Sequence, residues 1–383
     1  MNILEKYFKG DKVVWVVVML LSITSILTVY SSIVTLAYKH TDGNTFYYLI
    51  KHSSFLIIGL LLTYFTHNIK YTYFSKLSQL LLYLSIPLLL LTLIMGSTIN
   101  DASRWLTIPI LNYTFQTSDL AKFALIMYLA RIISKKQDNI KDFKSAFIPI
   151  ILPVLVVCGL ILPANLSTAA LLFITSIVLM FIGRVNIKYI LSLIGIGVAG
   201  LTVVILIGMA FPGTIKRVDT WVNRMEDFRE GNVTENYQSE QSKIAIATGG
   251  VFGKGPGKST QRNFLPHPYS DFIYAIVIEE YGLIGGILLL FLYLILLFRG
   301  IRISSSSEKP FGTLLVFGFS FSLVFQAMIN MAVAVNLFPV TGQPLPMVSM
   351  GGTSILFTFI AMGVILSVSK QHESQNSLAN AAA

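Results

Sequence analysis

One carboxylate in this chain stands where a charge is hard to keep. Asp271 is followed by Phe272-Ile273-Tyr274-Ala275-Ile276-Val277-Ile278, an apolar run that predicts the start of a membrane helix. A carboxylate at that depth is costly unless it has a partner or a task, and proton abstraction is the task it could perform. Asp271 lies within a polar, glycine-rich run at residues 237–280, set between long apolar stretches. That run holds Tyr237-Gln238, Gln241-Ser242-Lys243, Gly249-Gly250-Val251-Phe252-Gly253-Lys254-Gly255-Pro256-Gly257, Leu265-Pro266-His267-Pro268-Tyr269-Ser270 and Glu279-Glu280.

The glycine run invites a nucleotide reading, which fails. A Walker A loop needs Gly five residues before its Gly-Lys-Ser, and the residue five before Gly257-Lys258-Ser259 is Phe252. Two readings stay open: a flexible loop, or a backbone lying close to a phosphorylated ligand with Lys254, Lys258 and Arg262 adding charge. A second cluster comprises Arg104-Trp105, Gln116-Thr117-Ser118-Asp119 and Lys122. Thr117 or Ser118 can cap a helix, and Asp119 and Lys122, three apart, can share a face and pair. Lys122 would then sit one turn into the bilayer, where a cation usually faces a polar cavity. Arg104-Trp105 alone also suits an interfacial anchor. Glu279 and Glu280 lie about 12 and 13.5 Å along a helix from Asp271. Their angular offsets predict that both cannot face one cavity, so at least one is capped or paired. The last cluster, Thr341-Gly342-Gln343-Pro344-Leu345-Pro346-Met347-Val348-Ser349-Met350-Gly351-Gly352, breaks helix geometry at membrane depth. Such backbone is tolerated where it lines a cavity.

The elements that position these residues follow from composition. Hydrophobic residues make up 54% of the 383 and charged residues 12%, half the charged share of an ordinary soluble domain. Lipid must therefore solvate most of the chain. The fold expected is an all-α, polytopic membrane bundle. About ten segments are long enough to span, near 13–37, 47–66, 76–96, 118–134, 146–163, 168–183, 189–211, 271–298, 311–336 and 351–369. The fifth and sixth, parted by Pro163-Ala164-Asn165-Leu166-Ser167, could instead be one bent hairpin. The net charge of +10 matters less than its placement. Lys and Arg gather in alternate short connections, which puts both termini in the cytoplasm and the long segment at about 212–270 outside. Residues 1–370 read as one membrane domain and 371–383 as a disordered cytoplasmic tail. A single cysteine, Cys158, rules out an intramolecular disulfide, and the five histidines show no metal-ligand spacing.

Taken in order, these motifs resemble the SEDS family, the RodA/FtsW/SpoVE proteins. The match runs through Arg104-Trp105, Gln116-x-Ser118-x-x-x-Lys122, Tyr237-Gln238, Gln241-Ser242, Gly249 to Gly255, Leu265-Pro266, Ser270-Asp271-Phe272-Ile273-Tyr274, Glu279-Glu280-Tyr281-Gly282 and Pro344-Leu345-Pro346-Met347-Val348-Ser349-x-Gly351-Gly352. Two departures stand out. The family usually has Pro-Ser-Glu at Thr117-Ser118-Asp119, and often an acidic residue in the turn around Asn165. The resemblance implies a peptidoglycan glycosyltransferase that polymerises lipid II into a nascent glycan strand, working with a class B penicillin-binding protein and other divisome or elongasome membrane proteins. It places the catalytic aspartate at Asp271. Substrate-binding roles then fall on Arg104, Lys122, Gln116, Ser118, Tyr237, Gln238, Gln241, Ser242, Lys254, His267, Glu279 and Ser349. A divalent cation, Mg or Mn, could assist the departing diphosphate, its ligands unknown; neither a nucleotide nor nucleic acid is expected.

The rival function is lipid II flipping, which calls for cations along both leaflets, whereas Arg104, Lys122 and Asp271 gather at one face. A scaffold for the penicillin-binding partner would not need Asp271. The stretch Asn263-Phe264-Leu265-Pro266-His267-Pro268-Tyr269-Ser270-Asp271 resembles the family's cell-division members, which implies septal synthesis in the bacterial cytoplasmic membrane. The alternative within the family is an elongation role.

Overall fold

The computed structural model describes residues 8–99, 102–108, 113–210, 216–230 and 237–382. Its helices are α1 (Lys12–Ser32), α2 (Val34–His40), α3 (Thr45–Asn68), α4 (Thr72–Met95), α5 (Thr117–Lys135), α6 (Ile148–Ile161), α7 (Leu166–Ile182), α8 (Ile187–Ala210), α9 (Lys216–Glu230), α10 (Tyr237–Gly249), α11 (Ile273–Ser306), α12 (Pro310–Ala334) and α13 (Thr353–Ala382). Among the described residues, eight helical segments are long and apolar enough to cross a membrane. All ten expected spans are helical. Of the two outside that set, α7 has 17 residues and α5 carries Asp119, Lys122 and Arg131. The fold is that of a polytopic helical membrane protein.

Four expectations need correction. The first span is interrupted at Ile33, where α1 gives way to α2. The segment at 212–270 is no plain loop, since its described part holds α9, α10 and a short 3-10 turn at Gln261–Asn263. A small antiparallel meander, β1 (Ser97–Ile99), β2 (Ala102–Ile108) and β3 (Tyr113–Gln116), stands between α4 and α5. The tail is helical as far as Ala382, because Ala, Ser, Gln and Leu contain nothing that stops a helix.

The chain forms two compact units. The first gathers α1–α3, α10, α11, the second half of α12 and α13. Asp11 caps α1 by accepting from the Val13 and Val14 amides at 3.0 and 3.1 Å, and its other oxygen takes two hydrogen bonds from Arg299 of α11. Helices α3 and α13 approach through small residues, as membrane helices do. A Cβ on Gly59 would come within 2.2 Å of the Phe359 ring, and one on Gly363 within 2.9 Å of Thr63 O. Thr63 Oγ1 donates across this contact to Phe359 O at 2.8 Å.

The glycine run docks on α11 at a break in that helix. Gly282 has φ +72° and is non-helical. The backbone groups freed there pair with the run: the Lys254 and Gly255 amides donate to Glu279 O and Glu280 O, and the Leu283 amide donates to Gly250 O, each at 2.9 Å. The two backbones come too close for side chains. A Cβ on Gly282 would lie 2.1 Å from Val251 O, and one on Gly253 2.2 Å from Glu280 O. The glycines therefore serve a backbone-to-backbone contact within the chain, so the flexible-loop reading does not hold.

The second unit holds α4–α8, the meander, most of α9 and the first half of α12. The meander pairs Trp105 with Gln116 and so leads directly into α5. Thr92 Oγ1 of α4 and Thr117 Oγ1 of α5 are 2.9 Å apart and buried. The Phe123 and Phe319 rings stack at 4.8 Å, and Gly318 admits Ile126 and Leu179. The amphipathic α9 seats Val218 on Gly208 near the end of α8.

Substituting Gly282→Ala should lower the melting temperature of the detergent-solubilised protein by several degrees. Positive φ alone costs a non-glycine residue on the order of 1–3 kcal/mol, and the collision with Val251 O adds to that. An unchanged melting curve would refute the account of this contact.

Candidate active site

Asp271 belongs to the first unit and is partly buried, two residues before α11 begins. Ser270 Oγ donates to its Oδ1 at 2.9 Å. Three successive carbonyls are held here: Met350 N donates to Tyr269 O at 2.9 Å, Ser349 Oγ to Ser270 O at 2.6 Å, and Asn330 Nδ2 to Asp271 O at 2.8 Å. The apolar side chains Leu265, Phe272, Ile276 and Val333 pack together beneath. Gly342, at φ +65°, adjoins the carboxylate, with a Cβ there only 3.7 Å from Oδ2. Burial, and next the Asp271 charge, push the Tyr269 phenol above its ordinary range, so it stays protonated at neutral pH.

The segment that supplies Ser349 and Gly342 is irregular, as its sequence predicts. Its carbonyls are satisfied by side chains from the surrounding helices. Asn330 Nδ2 donates to Gln343 O at 2.7 Å and Gln326 Nε2 to Pro344 O at 2.9 Å. Tyr293 Oη donates to Pro346 O, and Ser25 Oγ to Val348 O at 2.8 Å. Ser25 in turn lies 2.7 Å from His52 Nε2. Because the one Ser25 proton goes to Val348 O, His52 Nε2 must carry a proton and donate to Ser25. Sequence reasoning passed over Asn330, Gln326 and Ser25. The available signal was two carboxamides four residues apart, on one face of an otherwise apolar helix.

Glu279 and Glu280 are both almost wholly buried, at 0% and 1% exposure, and a single loop hydrogen-bonds both, with Glu280 Oε2 left without a hydrogen-bond partner among the described residues. Lys254 Nζ, Thr260 Oγ1 and Thr260 N donate to Glu279 Oε1 at 2.6, 2.8 and 3.0 Å, and Ser259 Oγ donates to Oε2. Ser259 N and Ser31 Oγ donate to Glu280 Oε1, while Arg262 Nη1 holds Ser31 O at 3.1 Å. The two were not expected to face one cavity, and here they meet different donors. Neighbouring residues on a helix are about 100° apart, and a loop lying across it reaches both flanks. The accompanying expectation, that at least one is paired, holds for both.

The other candidates are placed as follows. Ser242 of α10 is buried and donates to Ala334 O at 2.6 Å, closing the end of α12. Tyr237 is exposed, and Gln238 and Gln241 are partly so. His267 is exposed, with Nδ1 3.4 Å from Tyr269 Oη. In the second unit, Arg104 Nε donates to Ala164 O at 3.0 Å, tying β2 to the turn before α7. Gln116 stands at the N-cap of α5, so Thr117 is already helical and neither Thr117 nor Ser118 is the cap; Gln116 Nε2 donates to Ser118 Oγ at 3.0 Å. Lys122 Nζ and Asp119 Oδ1 are 3.8 Å apart, the pairing that their spacing predicts. Arg104, Thr117, Ser118 and Asn165 share a small cavity with Leu89 and Ile161. Among the described residues, no group of three or more His, Cys, Asp or Glu side chains is placed to hold a metal ion.

A membrane fold whose loops hold Asp271 at the edge of one helix and a cationic cluster at the start of another defines an integral membrane protein with a candidate catalytic carboxylate. Residues 11–374 match the sequence profile of the FtsW, RodA and SpoVE family, described as "Cell cycle protein". The chain belongs to this family. It is 34% identical to stage V sporulation protein E of Bacillus subtilis (strain 168), over 94% of this chain and 97% of that one. It is also 34% identical to a probable peptidoglycan glycosyltransferase FtsW of Geobacter sp. (strain M18), over 94% and 96%. The fold is shared with rod shape determining protein RodA of Thermus thermophilus, at TM-score 0.68 and 24% identity over 96% and 99% of the two chains. It is shared as well with a chain of a peptidoglycan synthase complex, at TM-score 0.75 and 23% identity over 95% and 98%.

If Lys254 serves Glu279, removing it leaves a buried carboxylate without its cation, though still bonded by Ser259 and Thr260, a loss of up to about 3–5 kcal/mol. Lys254→Met should therefore melt well below the parent, and Lys254→Met with Glu279→Gln should recover part of the difference. A Lys254→Met protein of parental stability but impaired activity would return Lys254 to the substrate-binding set.

Proposed function

We propose that the chain is a peptidoglycan glycosyltransferase that polymerises lipid II at the outer face of the bacterial cytoplasmic membrane, with Asp271 as its general base. The observation that carries this is the contrast among three acidic residues of one unit. Glu279 and Glu280 are buried beneath a loop that hydrogen-bonds both, whereas Asp271 is partly exposed on a firmly held backbone. In the reaction, Asp271 takes the proton from the 4-hydroxyl of the acceptor sugar. That oxygen bonds to the donor's anomeric carbon, the bond from that carbon to the diphosphate breaks, and undecaprenyl diphosphate leaves. Arg104 and Lys122 are assigned to the leaving diphosphate on the strength of the sequence motifs. No step is routed through a metal ion. The reading places both termini in the cytoplasm, residues 212–270 outside, and a class B penicillin-binding protein as partner. Relatives named FtsW at 32–34% identity support a role in septal synthesis.

Purified protein, incubated with lipid II and a class B partner, should make glycan chains that resolve on a gel. Asp271→Asn keeps the residue's shape and removes the proton acceptor, a loss typically of about 10²–10⁴ in rate. The variant should fold, bind its partner and yield no visible glycan. Near-normal polymerisation by Asp271→Asn would overturn the assignment.

For the cations, Lys122→Ala should cut activity more than it lowers thermal stability. Restored activity in an Asp119→Asn, Lys122→Met double variant would instead make the ion pair purely structural.

A further inference from the structure

Asn330 lies on α12, is 1% exposed, and has no part in the reaction as written above. Its amide nitrogen faces two carbonyl oxygens, Asp271 O at 2.8 Å and Gln343 O at 2.7 Å. Two acceptors on one side fix which end of the carboxamide is the NH₂ group, since only that end can donate to both. Through this one group, the residue that carries the carboxylate is tied to the neighbour of Gly342, whose backbone adjoins Asp271 Oδ2. Asn330 thus ties together, from one helix, two backbone segments that meet beside the Asp271 carboxylate. Ser349, buried at 1%, repeats the arrangement one residue earlier by donating to Ser270 O while accepting from Leu345 N at 2.8 Å.

We propose that Asn330 is a positioning residue for the transfer reaction, aiming the Asp271 carboxylate by clamping its backbone to the segment beside Gly342, with Ser349 as its second clamp. A purely packing role would not need a carboxamide, because an apolar side chain of equal size is better tolerated on a membrane helix. The two hydrogen bonds give the carboxamide its use. Neither clamp reaches the carboxylate oxygens, so the effect falls on geometry. A catalytic group displaced by about 1 Å can lose on the order of 10²-fold in rate.

The proposal rests on Asp271 being the base, and the test separates the two claims. Turnover of lipid II is measured with the class B partner for the parent, Asn330→Leu, Ser349→Ala, Asp271→Asn and the Asn330→Leu, Asp271→Asn pair. Asn330→Leu should lower kcat about tenfold to a hundredfold while KM for lipid II stays within about twofold, the pattern of an interaction that matters only in the transition state. In the Asp271→Asn background, Asn330→Leu should cost nothing further in the residual rate. Should Asn330→Leu fail to fold, Ser349→Ala, which removes only one hydroxyl, carries the same expected split of kcat from KM. Parental kcat in the folded clamp variants, or an equal further loss in the Asp271→Asn background, would overturn the positioning role. Near-parental turnover by Asp271→Asn would strike down the base assignment itself.

Discussion

A bilayer offers no water to backbone groups that leave a helix, so every such group must find a partner within the protein. Residues 341–352 leave the helix, and the rest of the site depends on how they are satisfied. Their carbonyls at Gln343, Pro344, Pro346 and Val348 are bonded by Asn330, Gln326, Tyr293 and Ser25, side chains from three separate helices. Each bond contributes a net stabilisation of only about 0.5–1.5 kcal/mol, but leaving its acceptor bare would cost about 1–3 kcal/mol. The irregular segment is therefore held as firmly as the helices around it, and through Ser349 and Met350 it holds residues 269 and 270 in turn.

That arrangement separates two uses of acidic residues within one short stretch. Glu279 and Glu280 complete a loop: their oxygens gather Lys254, Ser259, Thr260 and Ser31, and the backbones beneath meet at glycines too close for any side chain. Asp271 spends its backbone carbonyl on structure and keeps its carboxylate at a partly open edge. The contrast explains how a chain with so few charges can place three acidic residues within ten positions without their repelling one another into disorder.

The cationic residues of the second unit divide likewise. Arg104 is drawn onto a carbonyl of the turn before α7, and Lys122 pairs loosely with Asp119 at 3.8 Å. The meander that brings Arg104 there also delivers Gln116 to the N-cap of α5, so one local fold sets the whole cluster.

What the sequence determined by itself is the part governed by local physics. Apolar length set the spans, three-residue spacing set the Asp119–Lys122 pair, and the solitary charge before an apolar run singled out Asp271. Family likeness then attached a chemistry to these positions. The meander escaped notice because strands of three to seven residues in a polar connection have no periodicity to read. The glycine run admitted two readings, and its real partner, the broken turn at Gly282, lies some thirty residues further along the chain, well beyond the window of about 11–18 residues in which spacing is read. Asn330, Ser349 and Ser25 meet from positions far apart in sequence. Only tertiary structure could bring them together, because hydrogen bonds to carbonyls depend on where the backbone runs and leave no pattern in residue type.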